Sequence, residues 1–130
     1  MIVDTSVLVA ILARESGFEL LDDAITRAAS CRLSAAGFVD TSIVAESRGG
    51  ADARRFLQSL LRRAAISIDP VTVEQARLAH EAFSDYGKGR HPAGLNFGDW
   101  FSYALAKATG EPLLFKGNDF SKTDVIPALP

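Results

Sequence analysis

Met1-Ile2-Val3-Asp4-Thr5-Ser6-Val7-Leu8 opens the chain with an apolar pair, a carboxylate, two hydroxyl residues and then apolar residues again. Ile2-Val3 reads as a short buried strand that stops at Asp4, and Thr5 and Ser6 suit the cap of a helix ending at residue 13. The same alternation recurs downstream. Gly17 precedes a helical pattern with Phe18, Leu21, Ile25 and Ala28 on one face. Cys31-Arg32-Leu33 predicts a second strand, and Ser34 caps a helix through residue 47 that Gly49-Gly50 ends. Asp52 begins another helix with Phe56, Leu57, Leu60 and Leu61 on its apolar side, and Ile66-Ser67-Ile68 predicts a third strand, stopped by Asp69-Pro70.

The second half follows the same plan. Val73, Ala76, His80 and Phe83 recur at helical spacing, which predicts a helix over 71–84 and places His80 in the core. Residues 86–95 hold three glycines and a proline and predict a loop. Asn96 caps a helix through residue 109 with Phe101, Ala104, Leu105 and Ala108 facing inward. Gly110-Glu111-Pro112 breaks it, Leu113-Leu114-Phe115 predicts a fourth strand, and Val125-Ile126 a short edge strand. Short apolar strands separated by amphipathic helices imply an α/β fold with a mainly parallel sheet of four or five short strands, covered on both faces. Ligands of open sheets gather at the carboxyl ends of the strands. Asp4 ends the first strand, Asp99 lies in the first turn of a helix, and Asp119 follows the fourth strand, so the pattern delivers three distant acids to one rim.

The 130 residues fit one domain over 1–130, and 48% hydrophobic with 23% charged residues is a globular composition. The lone Cys31 excludes an internal disulfide and a cysteine-built zinc site, and fits a reducing compartment. No basic leader and no membrane-length apolar run is present, so the expected location is the cytoplasm, with no membrane partner. The formal net charge of -2 does not advertise nucleic acid. Arg54, Arg55, Arg62, Arg63, Lys88 and Arg90 nevertheless form short basic groups, which read mostly as solvated helix faces.

Carboxylates brought together repel and have raised pKa values unless a cation sits among them. Oxygen donors suit Mg²⁺ or Mn²⁺, which lower the pKa of water and stabilise the leaving oxygen of a phosphodiester. Such chemistry needs no nucleophilic side chain and matches a chain with two histidines and one cysteine.

Ile2-Val3-Asp4-Thr5-Ser6-Val7-Leu8 resembles the opening of PIN domains. Asn96-Phe97-Gly98-Asp99-Trp100-Phe101-Ser102-Tyr103-Ala104-Leu105-Ala106 resembles their third acidic motif, and Leu113-Leu114-Phe115-Lys116-Gly117-Asn118-Asp119-Phe120 their last. Size and order resemble the VapC toxins of prokaryotic type II toxin–antitoxin pairs over essentially the whole chain. The resemblance implies a PIN-like three-layer α/β/α sandwich and an endoribonuclease hydrolysing RNA phosphodiesters with a metal-activated water. It makes Asp4 and Asp99 the principal metal ligands. Asp40 stands where relatives carry a glutamate, and Glu46, which points to another side of the helix, is the competitor. Asp119 is the fourth acid, since Gly117 stands where many relatives have one more. Ser6 is a supporting residue that holds a ligand or water. The resemblance also implies Mg²⁺ (or Mn²⁺), an RNA substrate, a VapB-type antitoxin that blocks the acidic groove, and a homodimer.

Each acid has a plainer reading. Asp4-Thr5-Ser6 suits a helix cap, Asp99 completes a capping box with Asn96, Asp119 suits an Asx-turn, and Asp40 a solvated helix face. Trp100 suits core or interface packing as well as base stacking, and His91 sits in the glycine-rich loop where RNA or a partner can meet it. Two other function classes stand beside the nuclease. One is a PIN-like binding module without catalysis, favoured by the short Asp40 and by Gly117. The other is a phosphoacceptor receiver domain, suggested by Ile66-Ser67-Ile68-Asp69-Pro70 and by Lys116, although Asp4 lacks the paired acid a receiver needs.

Overall fold

The computed structural model describes residues 1–130. In chain order it places β1 (Ile2–Val3), α1 (Thr5–Ala13), α2 (Phe18–Arg27), β2 (Cys31–Ser34), α3 (Ala35–Arg63), β3 (Ile66–Asp69), α4 (Val73–Tyr86), α5 (Phe97–Thr109) and β4 (Leu113–Leu114), then a 3-10 turn at Phe120–Lys122. The four strands form one parallel sheet in the order β3-β2-β1-β4, with Ile2 opposite Arg32 and Val3 opposite Leu114.

The alternation of a strand's side chains explains the three layers. Val3 and Leu114 point into one core, packed with Leu8 of α1, Leu21 and Ile25 of α2, and Leu57, Leu60 and Leu61 of α3. Ile2 and Leu113, one residue away in each strand, point into the other, with Ala82 of α4, Leu105 and Ala106 of α5, and Phe120. Helices therefore cover both faces, giving the α/β/α sandwich expected from the pattern. β1 is only two residues long yet central and fully buried, so Asp4 starts where the sheet ends.

Several local expectations are corrected. The first helix is capped by Asp4 itself, whose side chain accepts from the Ser6 N–H, and not by the hydroxyls of Thr5 or Ser6. The glycine pair, by contrast, acts as expected: at Gly50 the backbone leaves the helix (φ 63°, ψ -151°), a region open essentially to glycine alone, so α3 consists of two helical arms that meet at a sharp kink, the second running to Arg63. The segment near Val125-Ile126 forms no strand; a single parallel bridge joins Leu113 to Pro127.

Several residues expected to face inward are turned to solvent. Phe56 is 67% exposed, and Ala108 is exposed as well. On α4 the buried residues are Gln75, Ala79 and Ala82, which let the helix lie close against α5. Val73 and His80 face outward, so His80 is not a core histidine. Periodicity marks an apolar face but not what covers it.

Candidate active site

Asp4 is the most deeply buried acid of the rim. Its backbone N–H donates to the Leu114 carbonyl at 3.0 Å, which ties the residue to β4, and the residue is 2% exposed. Ser102 Oγ donates to Oδ1 at 2.5 Å, while Ser6 donates to Oδ2 from its hydroxyl at 2.6 Å and its N–H at 3.0 Å. Burial raises the pKa of the carboxyl, and these hydrogen bonds oppose the rise. Ser6 Oγ in turn accepts from the Lys116 N–H at 3.0 Å, so the segment after β4 is laced to the same carboxylate.

Asp99 closes the rim from α5. Asn96 and Asp99 form the reciprocal capping box, with the Asn96 N–H on Asp99 Oδ2 at 2.9 Å. That cap leaves Oδ1 without a protein donor. Burial pushes the Asp99 pKa up to about 7, the charge of Asp4 adds to the rise, the Asn96 N–H opposes it, and Asp119 and Asp40 raise it further. The other three acids named from the sequence thus all act on Asp99. The plain capping reading of Asp99 is correct as geometry, and it does not account for the repulsion.

Asp40 reaches the rim from the first arm of α3, and its carboxylate lies against Gly98, where any Cβ would collide with it. Glu46 is exposed and faces Arg54 at 4.0 Å. Asp119 is exposed on the loop entering the 3-10 turn. Two contributors escaped the sequence reading. Ser102 lies one helical turn beyond Asp99, a polar residue within an apolar helix face, and Gly98 precedes Asp99 directly; that spacing was their only signal.

No Lys, Arg or His lies within ion-pairing distance of Asp4, Asp40, Asp99 or Asp119, whereas eight other acids have such partners. No three His, Cys, Asp or Glu side chains converge tightly enough to enclose an ion. An ion such as Mg²⁺ fits nonetheless, because it usually takes one or two carboxylates directly and keeps several waters. The donors are all hard oxygens, and their unneutralised repulsion is what a divalent cation relieves. Of the basic groups, Arg54, Arg55 and Arg63 are tied in exposed ion pairs, while Lys88 and Arg90 face no carboxylate. Arg90 lies over the Phe83 ring at 4.9 Å. His91 accepts from the Ala93 N–H and meets Tyr86 edge-on, and Trp100 donates to the Leu95 carbonyl at 3.0 Å. Asp69, the receiver-like acid, is held by Arg32 at 3.1 Å, two strands from Asp4 in the sheet.

The PIN domain family model matches residues 1–126. Ribonuclease VapC42 of Mycobacterium tuberculosis is 46% identical over 129 residues, covering 98% of each chain. Ribonuclease VapC of Mycolicibacterium smegmatis is 50% identical over 125 residues, covering 96% of this chain and 97% of that relative. Among solved structures, the crystal structure of the sarcin-ricin loop cleaving toxin VapC20 of Mycobacterium tuberculosis superimposes with a TM-score of 0.78. It is 19% identical, over 96% of this chain and 95% of that one, a likeness of fold.

Proposed function

Because the chain belongs to the PIN-domain family, within its VapC ribonuclease group, we propose that it is the toxin of a type II toxin–antitoxin pair and hydrolyses RNA phosphodiesters at the acidic rim. The observation that carries this reading is the set of four carboxylates, buried Asp4 among them, without a cationic partner. Asp4 and Asp99 are the principal ligands for Mg²⁺ or Mn²⁺, with Asp40 and Asp119 beside them. Such an ion lowers the pKa of water and offsets charge on the leaving oxygen. The chain's own residues do the positioning. Ser6 and Ser102 fix both oxygens of Asp4, the Asn96 cap turns Asp99 so that Oδ1 stays free, and Gly98 leaves room for Asp40.

The partners are an RNA substrate and a VapB-type antitoxin that covers the rim, all in the cytoplasm; no helix is long and apolar enough to cross a membrane. A homodimer is supported by the outward face of α4 and α5. There Val73 and Phe97 are 69% and 66% exposed, and Trp100 packs edge-on between Phe83 and Phe97. An apolar face of this kind marks a contact surface. The test is cleavage of RNA with Mg²⁺ or Mn²⁺, abolished by chelator and in Asp4→Ala. Metal-independent cleavage, or an Asp4→Ala variant that cuts as well as the parent, overturns the reading. Light scattering of Phe97→Glu tests the dimer, and an unchanged dimer mass removes that face from it.

A further inference from the structure

A cavity of about 450 Å³ opens beside the rim, between the α1–α2 turn and the segment after β4. Its walls are apolar where Leu20, Phe115 and Phe120 line it, and polar where Lys116, Asn118 and Ser121 line it. The volume lies in the roughly 300–1,000 Å³ range of small-molecule sites, and apolar walls with a few placed polar groups are the usual pattern of such sites.

Its place ties it to the chemistry. Asn118 and Phe120 flank Asp119, and Lys116 donates its backbone N–H to Ser6, which holds Asp4. Glycines stand on both lips, Gly17 and Gly117, each with positive φ and with open space where a Cβ would be. The single lysine is already paired with Glu15 at 3.0 Å, so the cavity is poorly charged for a phosphate alone. Its chemistry suits a flat, uncharged ring with hydrogen-bonding edges. Single-stranded RNA is read in this way, by unstacked bases placed against aromatic side chains and bonded along their edges.

We propose that this cavity is a nucleobase subsite, which takes one unstacked base of the RNA strand whose backbone crosses the acidic rim. The inference rests on the ribonuclease reading for its substrate. Asn118 contributes the edge contacts, Phe115 the aromatic wall, and Leu20 the opposite side.

The test is an NMR titration of the full chain, in EDTA, with each of the four nucleoside 5′-monophosphates, with inorganic phosphate and with N-acetyl-phenylalanine amide as controls. The Gly117 amide and the Asn118 side-chain amide shift saturably with at least one nucleotide and not with phosphate. Asn118→Ala weakens that binding roughly tenfold, the loss of one or two hydrogen bonds, and Leu20→Trp, at an exposed position, fills the space and abolishes it. Nucleotides that leave Gly117 unmoved overturn the proposal, as do shifts reproduced by phosphate, or by the phenylalanine probe alone. Because no metal and no hydrolysis are involved, its failure is separable from failure of the nuclease. RNA cut normally with no nucleotide response sinks only the subsite, and a nucleotide response without cleavage sinks only the nuclease.

Discussion

The acidic rim and the Arg32 cluster are two ways of handling negative charge in one small fold. At the cluster, Arg32 lies between Asp69 at 3.1 Å and Glu111 at 3.2 Å, and the Met1 ammonium also holds Glu111 at 2.7 Å. The Glu111 carboxyl lies below its usual pKa because that ammonium donates to it and Arg32 stands near, against the opposing effect of burial. At the rim no cation is supplied, and the Asp99 pKa rises to about 7. The chain has the means to neutralise its acids, and at the rim it does not. Unneutralised acids in one place cost stability, and such sites are where function is concentrated.

The largest test of this contrast is Asp99→Asn. Cleavage falls about 100- to 1,000-fold, the scale of losing one preorganised electrostatic group, yet the metal-free variant melts a few degrees higher than the parent. A lower melting temperature for that variant breaks the contrast, because repulsion would then not be what the rim stores.

Ser102→Ala comes next. It removes the donor on Asp4 Oδ1 and weakens Mn²⁺ binding about 10- to 100-fold, the usual scale for groups that orient ligands. Ser102→Thr restores it, and calorimetric titration with Mn²⁺ reads both.

The pH dependence follows from Asp99. Its folded pKa of about 7 exceeds the ordinary 3.8, so between these values the fold keeps a proton that the unfolded chain has released. The metal-free protein therefore loses stability as pH rises through that window and levels off above it. Added Mg²⁺ raises the melting temperature more at pH 8 than at pH 5, where protons compete for the carboxylate. Equal increments at both pH values count against Asp99 as a ligand. The smallest effect belongs to the paired region. Arg32→Ala costs about 1 kcal/mol in urea unfolding, because its side chain is 43% exposed and screened by water, and leaves RNA cleavage unchanged.

The contrast also marks what was legible in the sequence. Four strands, the helices and the rim positions of Asp4, Asp99 and Asp119 were legible, because short apolar runs followed by acids and a capped helix start carry their own geometry. Ser102 was not, since its partner is 98 residues away and only the packing of α5 against β1 brings them together. The outward face of α4 is not legible either, for a related reason. Val73 and His80 repeat with helical period, but the small residues Ala79 and Ala82 dock the helix. The break at Gly50 was legible, since a glycine pair between two apolar-periodic segments marks the non-helical turn that divides α3 into two arms.

That bend decides whether the chain can satisfy itself. A straight rod of the 29 residues of α3 measures about 43 Å, against about 30 Å for the diameter of a small domain. Without the turn at Gly50, the arm bearing Leu57, Leu60 and Leu61 projects beyond the domain, and those leucines leave the core they share with Val3, Leu8 and Leu114. One glycine thus lets a single chain bury its own leucines.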